Sequence, residues 1–284
     1  LRQDSSRLIE EYKIYRNLNK RGFKFCHGLP NVYALIQTPK INLMVMELLG
    51  PNIESMFIKY DKVFNLETIV SLGINLVNLL ERLHNAGYIH RDIKPANFLL
   101  GYGKNYDKIY LTDFGLSKQY VKNGSHIPYV TGRNLVGTLR YASINVHLGY
   151  ESSRRDDMES LGYMLIYLSK GSLPWQGLKK RKDVEQVEII GNAKMCTSVS
   201  KLCDGLHPNF RKYIKLCRDL KFEEKPNYKA LRECFSEIAE SKKLVLKYQW
   251  VNKLACNNDS STCSDSDENL CSDKSSDNSE NSDS

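Results

Sequence analysis

Two short motifs constrain this chain more than anything else in it: His90-Arg91-Asp92-Ile93-Lys94-Pro95-Ala96-Asn97 and Asp113-Phe114-Gly115, with twenty-one residues from Asp92 to Asp113. Apolar runs of strand-like length precede each of them. A fold that collects both in one cavity gives it a carboxylate able to take a proton, a lysine point charge, and two hard oxygen donors of the kind Mg²⁺ prefers. Phosphoryl transfer needs that set and little else, because its transition state calls for positioning and charge neutralisation rather than covalent chemistry. Asp92 is therefore expected to accept the proton of a substrate hydroxyl, and Lys94 to sit beside the transferring phosphoryl. Asn97 and Asp113 are expected to hold Mg²⁺. A lone Asp-Phe-Gly is common in turns, whereas the two motifs in this order and spacing are far more specific.

Residues beyond these motifs are more distinctive still. Ser143-Ile144-Asn145, at the end of Gly137-Thr138-Leu139-Arg140-Tyr141-Ala142, stands where most protein kinases carry Ala-Pro-Glu. It is followed by the run from Ser153 to Tyr163 and by Gly171-Ser172-Leu173-Pro174-Trp175-Gln176-Gly177-Leu178, and preceded by Met46-Glu47-Leu48-Leu49-Gly50-Pro51. On these runs the chain resembles the casein kinase I family of serine/threonine protein kinases, over roughly Leu8 to Leu254.

The resemblance implies an α+β, bilobal kinase fold with a mainly helical C-lobe, and ATP with Mg²⁺ as cofactors. It implies transfer of the γ-phosphate to Ser or Thr of protein substrates with acidic or phosphorylated residues upstream of the target. Met46 would guard the back of the adenine pocket, the Glu47 carbonyl and Leu49 amide would hold the base, and Leu99 would floor it. Glu11 resembles the family's helix-C glutamate. An anion site would comprise Arg140, the Gly177 backbone and a downstream lysine, with Arg133 adding charge. The lysine position aligns with Gln186, although Lys179, Lys180, Arg181 and Lys182 lie on the same stretch. Asp157 would hold the catalytic-loop backbone. Thr112 replaces the usual aliphatic residue and is read as tolerated.

Before the Met46 run there is no Gly-x-Gly-x-x-Gly loop and no Val-Ala-Ile-Lys-type strand. The lysine partner of Glu11 would lie about fourteen residues upstream of it, before Leu1. The expectation is a working kinase whose first N-lobe strands precede this sequence, and the alternative is a pseudokinase scaffold that lost them. Lys13 does not replace that lysine, since two residues past Glu11 on a helix it points away. Two strands are legible near Asn31–Gln37 and Asn42–Glu47, and a two-stranded sheet beside one helix is expected to expose an apolar face.

The 284 residues, 41% of them hydrophobic, suffice for one sizeable core plus a segment outside it. The break comes near Ala255. From 255 to 284 eight acids face Lys274 alone, giving −7, so the whole-chain +8 leaves +15 on residues 1–254. The expected division is 1–49 as part of an N-lobe, 50–254 as a C-lobe, and 255–284 as a disordered acidic tail. Asp273, Ser276, Ser279 and Ser282 follow at intervals of three, so the tail is also a possible partner of its own anion site. The +15 is spread without interleaved aromatic stacking residues, which argues against a nucleic-acid partner. No run approaches eighteen apolar residues, which argues against a membrane span. The eight cysteines lack metal-ligand spacing and read as free thiols of a reducing compartment, in the cytoplasm or nucleus. A monomer is expected.

Helical periodicity from Leu66 to Leu83, with Asn65 as cap and Gly87 as stop, predicts a long helix delivering the first motif. Phe98–Leu100 and Ile109–Leu111 read as short strands, and Met158–Leu168 as a buried helix opened by Asp157. Phe210–Ile238 reads as helical, broken at Lys225-Pro226.

Overall fold

The computed structural model describes residues 2–23, 28–179 and 184–251. The expected acidic tail, and Lys180, Arg181 and Lys182, lie outside these residues. The first element is helix α1, Arg2–Lys20. Glu11, Ile14, Tyr15 and Leu18 recur at helical intervals and turn one face inward, with Tyr15 and Leu18 fully buried. That face packs on an antiparallel pair, β1 (Val32–Gln37) and β2 (Asn42–Met46). Alternation in β2 sends Met44 and Met46 toward the core, and a register shift between Val32 and Ala34 turns Val32 the same way. The pair leaves Ile36, Leu43 and Val45 exposed on the other side, the apolar outer face expected of a two-stranded sheet.

The larger, mainly helical part opens with α2 (Ile53–Lys59) and α3 (Leu66–Asn85). Asn65 caps α3 by accepting the Thr68 N–H at 3.0 Å, and Arg82 and His84 lie in the last turn, at the negative end of its dipole. Leu72, Leu76, Leu80 and Leu83 are completely buried, each stabilising the fold by about 1.5–3 kcal/mol. Helix α3 packs against α5 (Arg154–Lys170) and α9 (Tyr228–Ser241). At Gly73 a Cβ would lie 2.6 Å from the Phe235 ring, so α3 and α9 approach closely only because that side chain is missing.

The motif-bearing segments hang on two small antiparallel ladders. In one, β3 (Tyr88–Ile89) pairs with β6 (Lys118–Gln119). In the other, β4 (Phe98–Leu100) pairs with β5 (Ile109–Leu111), Phe98 opposite Leu111 and Leu100 opposite Ile109. Residues 90–97 run from β3 to β4 and residues 112–117 from β5 to β6, so both motifs are tied at both ends and lie side by side. Another hairpin, β7 (Val121–Lys122) and β8 (Ser125–His126), leads into the segment before α4 (Ile144–His147). The rest comprises α6 (Gln186–Cys196), α7 (Val199–Leu202) and α8 (Pro208–Arg218). The fold is α+β and mainly helical.

Two expectations are corrected. Helix α5 does not open at Asp157. Its cap is Ser153, whose N–H donates to Asp156 Oδ2 at 2.7 Å, so a Ser-x-x-Asp box starts the helix at Arg154 and leaves Asp157 inside the first turn. The stretch 210–238 is not one helix broken at 225–226. It is α8 and α9 with residues 219–227 between them, because Pro208 starts the first and Asn227, accepting the Ala230 N–H at 3.0 Å, caps the second.

Cys196, Cys203, Cys217 and Cys234 are free thiols, the last three buried. No helix among the described residues is long and apolar enough to cross a membrane.

Candidate active site

Arg91 (φ +67°) and Asp113 (φ +63°) both occupy the left-handed region, a strain of about 1–3 kcal/mol each that neighbouring structure must hold. Asp157 supplies part of that hold. Its Oδ2 accepts the His90 N–H at 2.7 Å and its Oδ1 the Arg91 N–H at 2.9 Å, while His84 Nε2 lies 3.0 Å from Oδ2. Burial pushes the Asp157 carboxyl up, but the hydrogen bonds from His84 and from the His90 amide outweigh it and keep its pKa below the usual range. The buried His90 ring has its pKa lowered by desolvation, against the opposing pull of Asp157. Neutral, it donates from Nε2 to the Thr112 carbonyl at 3.1 Å and offers Nδ1 to the Asp92 N–H at 3.3 Å.

Asp92 is buried and gripped from two sides. Oδ1 accepts from both the N–H (2.9 Å) and the hydroxyl (2.7 Å) of Thr138, and Oδ2 accepts from Lys94 Nζ at 2.5 Å. Burial alone would raise this carboxyl. The Lys94 and Thr138 hydrogen bonds, with the charge of Lys94, bring it below its ordinary value instead. Asn97 donates Nδ2 to the Asp92 carbonyl at 2.9 Å, which leaves its amide oxygen free of that bond. Thr112 is more than tolerated, since its hydroxyl donates to the Asn97 carbonyl at 3.1 Å and its N–H reaches the same oxygen at 3.0 Å, fixing the two loops together. Thr138 reaches Asp92 because Gly137, at φ +97°, lets the chain pass where a Cβ would lie 2.3 Å from the Arg91 carbonyl oxygen.

The second motif is held by α1. Glu11 Oε1 accepts the Phe114 N–H at 3.0 Å, and Phe114 is fully buried between the Tyr15 and His90 rings, with centroids 4.9 and 5.3 Å away. Burial raises the pKa of Glu11, the Phe114 bond lowers it, and the charge of Asp113 raises it further. Among the described residues no lysine or arginine forms an ion pair with Glu11. Lys13 pairs instead with Glu10 at 2.6 Å, on the exposed side of the helix.

The segment after β2 is tied down on both flanks. Glu47 N–H donates to the Asn31 carbonyl at 2.9 Å and Gly50 N–H to the Leu100 carbonyl at 2.8 Å. Between these anchors, no described residue hydrogen-bonds the Glu47 carbonyl or the Leu49 N–H. Met46 is partly buried against the core, and Leu99, half-buried, points opposite to Phe98 and Leu100 and bridges to Asn52.

A cavity of about 600 Å³ adjoins the 90–97 loop, lined by Lys94, Thr138, Arg140, Gly177, Gln186 and Glu54 among others. It brings together Arg140, Gly177 and the glutamine aligned with the expected lysine. The Arg140 guanidinium lies over the Tyr141 and Tyr167 rings, 5.7 and 5.1 Å from their centroids. Arg133 is not part of this group. It lines a neighbouring cavity of about 740 Å³ and pairs with Glu151 at 3.1 Å, a carboxylate it shares with Lys118 at 2.8 Å. Thr138, Glu54 and Trp175 had no expected role, for their partners lie far off in sequence.

No three His, Cys, Asp or Glu side chains among the described residues converge into a closed metal site. A carboxylate with one amide oxygen suits Mg²⁺, which keeps several waters and takes further oxygens from phosphates. The Asn97 amide nitrogen is spent on Asp92, so its oxygen is the atom left to offer. A family model described as protein kinase domain matches residues 2–239 of this chain.

Proposed function

The chain belongs to the protein kinase domain family, and on that premise we propose that it is a serine/threonine kinase of casein kinase I type. Its substrates are proteins with an acidic or phosphorylated residue upstream of the target hydroxyl. One observation carries the reading: Asp92 is bonded to Lys94 and Thr138, and both of these line the same cavity as Arg140. A hydroxyl presented to Asp92 therefore belongs to a chain whose neighbouring residues pass a guanidinium able to grip a phosphate or carboxylate. The preference is moderated by Glu54 and by the uncharged Gln186 in the same wall.

Asp113 and Asn97 would hold Mg²⁺, and the ion, when bound with ATP, supplies charge neutralisation on the phosphates. Glu47 and Leu49 offer an acceptor and a donor to an adenine edge, with Leu99 beneath it. Asp92, held ionised by its partners, orients the substrate hydroxyl and takes its proton as the bond to phosphorus forms. Lys94 holds Asp92 and places a positive charge beside the site of transfer. The serine-rich segment 255–284 is a candidate substrate of the same groove.

The second reading is a scaffold that binds partners without transferring phosphate, and it draws on Glu11, whose carboxylate no described cation pairs. The full-length protein decides between them. Mg·ATP is expected to raise its melting temperature, and a peptide with Asp or phosphoserine three residues before the target serine is expected to be labelled faster than its alanine counterpart. Thermal stabilisation without any labelling would favour the scaffold, and equal labelling of the peptides would remove the anion preference.

A further inference from the structure

One cation in the interior has no part in the chemistry above. Lys194, on α6, is completely buried, and no described carboxylate lies within ion-pair distance of it. Its Nζ instead donates to the carbonyls of Leu139 (2.7 Å) and Ala142 (2.5 Å) and faces His147 Nε2 at 3.1 Å. The Tyr163 and Trp175 rings enclose it, their centroids 5.3 and 5.2 Å away. His147 Nδ1 meets the Val187 carbonyl at 3.0 Å, closer than the 3.4 Å from Nε2 to the Leu139 carbonyl, so Nδ1 carries the ring proton and the Nε2 lone pair faces the lysine. Three acceptors around one nitrogen require three protons, and only the ammonium has them.

An unpaired buried cation is costly, and an apolar side chain would fill the space without that cost. What the ammonium adds is a grip on backbone. Leu139 and Ala142 belong to the stretch 138–142, whose near end is fastened to Asp92 through Thr138 and whose middle is held by Trp175 Nε1–H donating to the Arg140 carbonyl at 2.8 Å. Residues 138–141 line the 600 Å³ cavity. We propose that Lys194 is a positioning residue for the peptide substrate, clamping residues 139–142 from below so that Arg140 and the adjoining backbone present a fixed wall to the incoming chain.

The inference rests on the kinase reading for its consequence, though the clamp itself does not. Burial pushes Lys194 down to about 7, with Glu159 of α5 opposing and Arg218 of α8 reinforcing the shift. Facing it, His147 of α4 is pushed down to about 4 by burial and by Lys194, and buried Tyr163 of α5 has its pKa raised well above the ordinary value. Raising the pH through 7 therefore removes a proton from Lys194, and the amine left behind cannot serve all three acceptors.

The test uses the full chain. Between pH 6 and pH 8.5 the KM for peptide is expected to rise about fivefold, the worth of one ordinary hydrogen bond, while the KM for ATP stays level. Lys194→Arg, charged throughout, is expected to abolish the rise, and Lys194→Met to give the higher peptide KM at every pH. Amide exchange of residues 138–143, corrected for intrinsic rates, should quicken in wild type at the higher pH and in Lys194→Met at both. An alkaline rise in peptide KM that persists in Lys194→Arg, or exchange that ignores both pH and substitution, overturns the proposal. Should Lys194→Met not fold, the wild-type exchange profile decides alone. Wild-type protein that labels no peptide would sink the kinase reading, and the exchange data would still judge the clamp.

Discussion

Asp92 has to be ionised before it can take a proton, and its surroundings favour that state despite burial: Lys94 on one oxygen, two Thr138 donors on the other. Replacing it with asparagine is expected to lower kcat by about 10²- to 10⁴-fold while the Mg·ATP-induced thermal shift persists, and labelling near the wild-type rate would reject Asp92 as the base. The pH dependence has a definite sign. Because the folded pKa lies below the ordinary carboxylate value of 3.8, the contribution of ionised Asp92 is present above that value and is lost only as pH falls through the lower, folded one. Peptide kcat/KM should therefore show no acid limb from this group between pH 7 and about 4, and a limb centred near 5 or 6 would contradict the assignment. That Asp92, Lys94 and Asn97 meet was legible because one eight-residue motif holds all three. Thr138 was not, since nothing in residues 137–145 says that its hydroxyl will meet Asp92, 46 positions earlier.

Short elements behave as their local chemistry dictates, provided the capping signals are weighed against periodicity. Asn65 and Gly87 bracket α3, and β4 and β5 match the apolar runs that predict them. Helix α5 was misplaced because the apolar run from Met158 outweighed the Ser153-x-x-Asp156 box, and the cap is what starts the helix. That shift sets Asp157 one helical turn in, where its carboxylate reaches back to His90 and Arg91 instead of capping. Asp157→Asn swaps one acceptor oxygen for a donor facing N–H groups, so stability in urea unfolding should fall by about 1.5–3 kcal/mol per charge-assisted bond lost, with activity falling alongside. Unchanged stability would mean that the strained loop at Arg91 is held by other means. The break between α8 and α9 is wider than Lys225-Pro226 because Asn227 claims the cap of the second helix while Asp219 already ends the first.

Taken together, the described residues form a basic body with the 90–97 loop beside a cavity lined by Lys94 and Arg140, and the sequence ends in thirty residues of net charge −7. Each phosphate added to that tail contributes about −1.5 to −2 more. If the tail visits the groove as a product-like competitor, deleting 255–284 should lower the KM for an exogenous acidic peptide, most visibly at low salt, where charge attraction is least screened. Kinetics unchanged by the deletion would rule that competition out. Motif spacing was enough to mark a protein kinase domain, and composition an acidic run over 255–284, because those properties reside in residues near one another along the chain. Packing alone decided which distant groups meet: Glu11 with Phe114 across 103 positions, Thr138 with Asp92 across 46, Lys194 with Ala142 across 52. These are contacts between surfaces brought together when helices and ladders bury their apolar faces, and no local pattern encodes which polar side chain each buried face will carry to its neighbour.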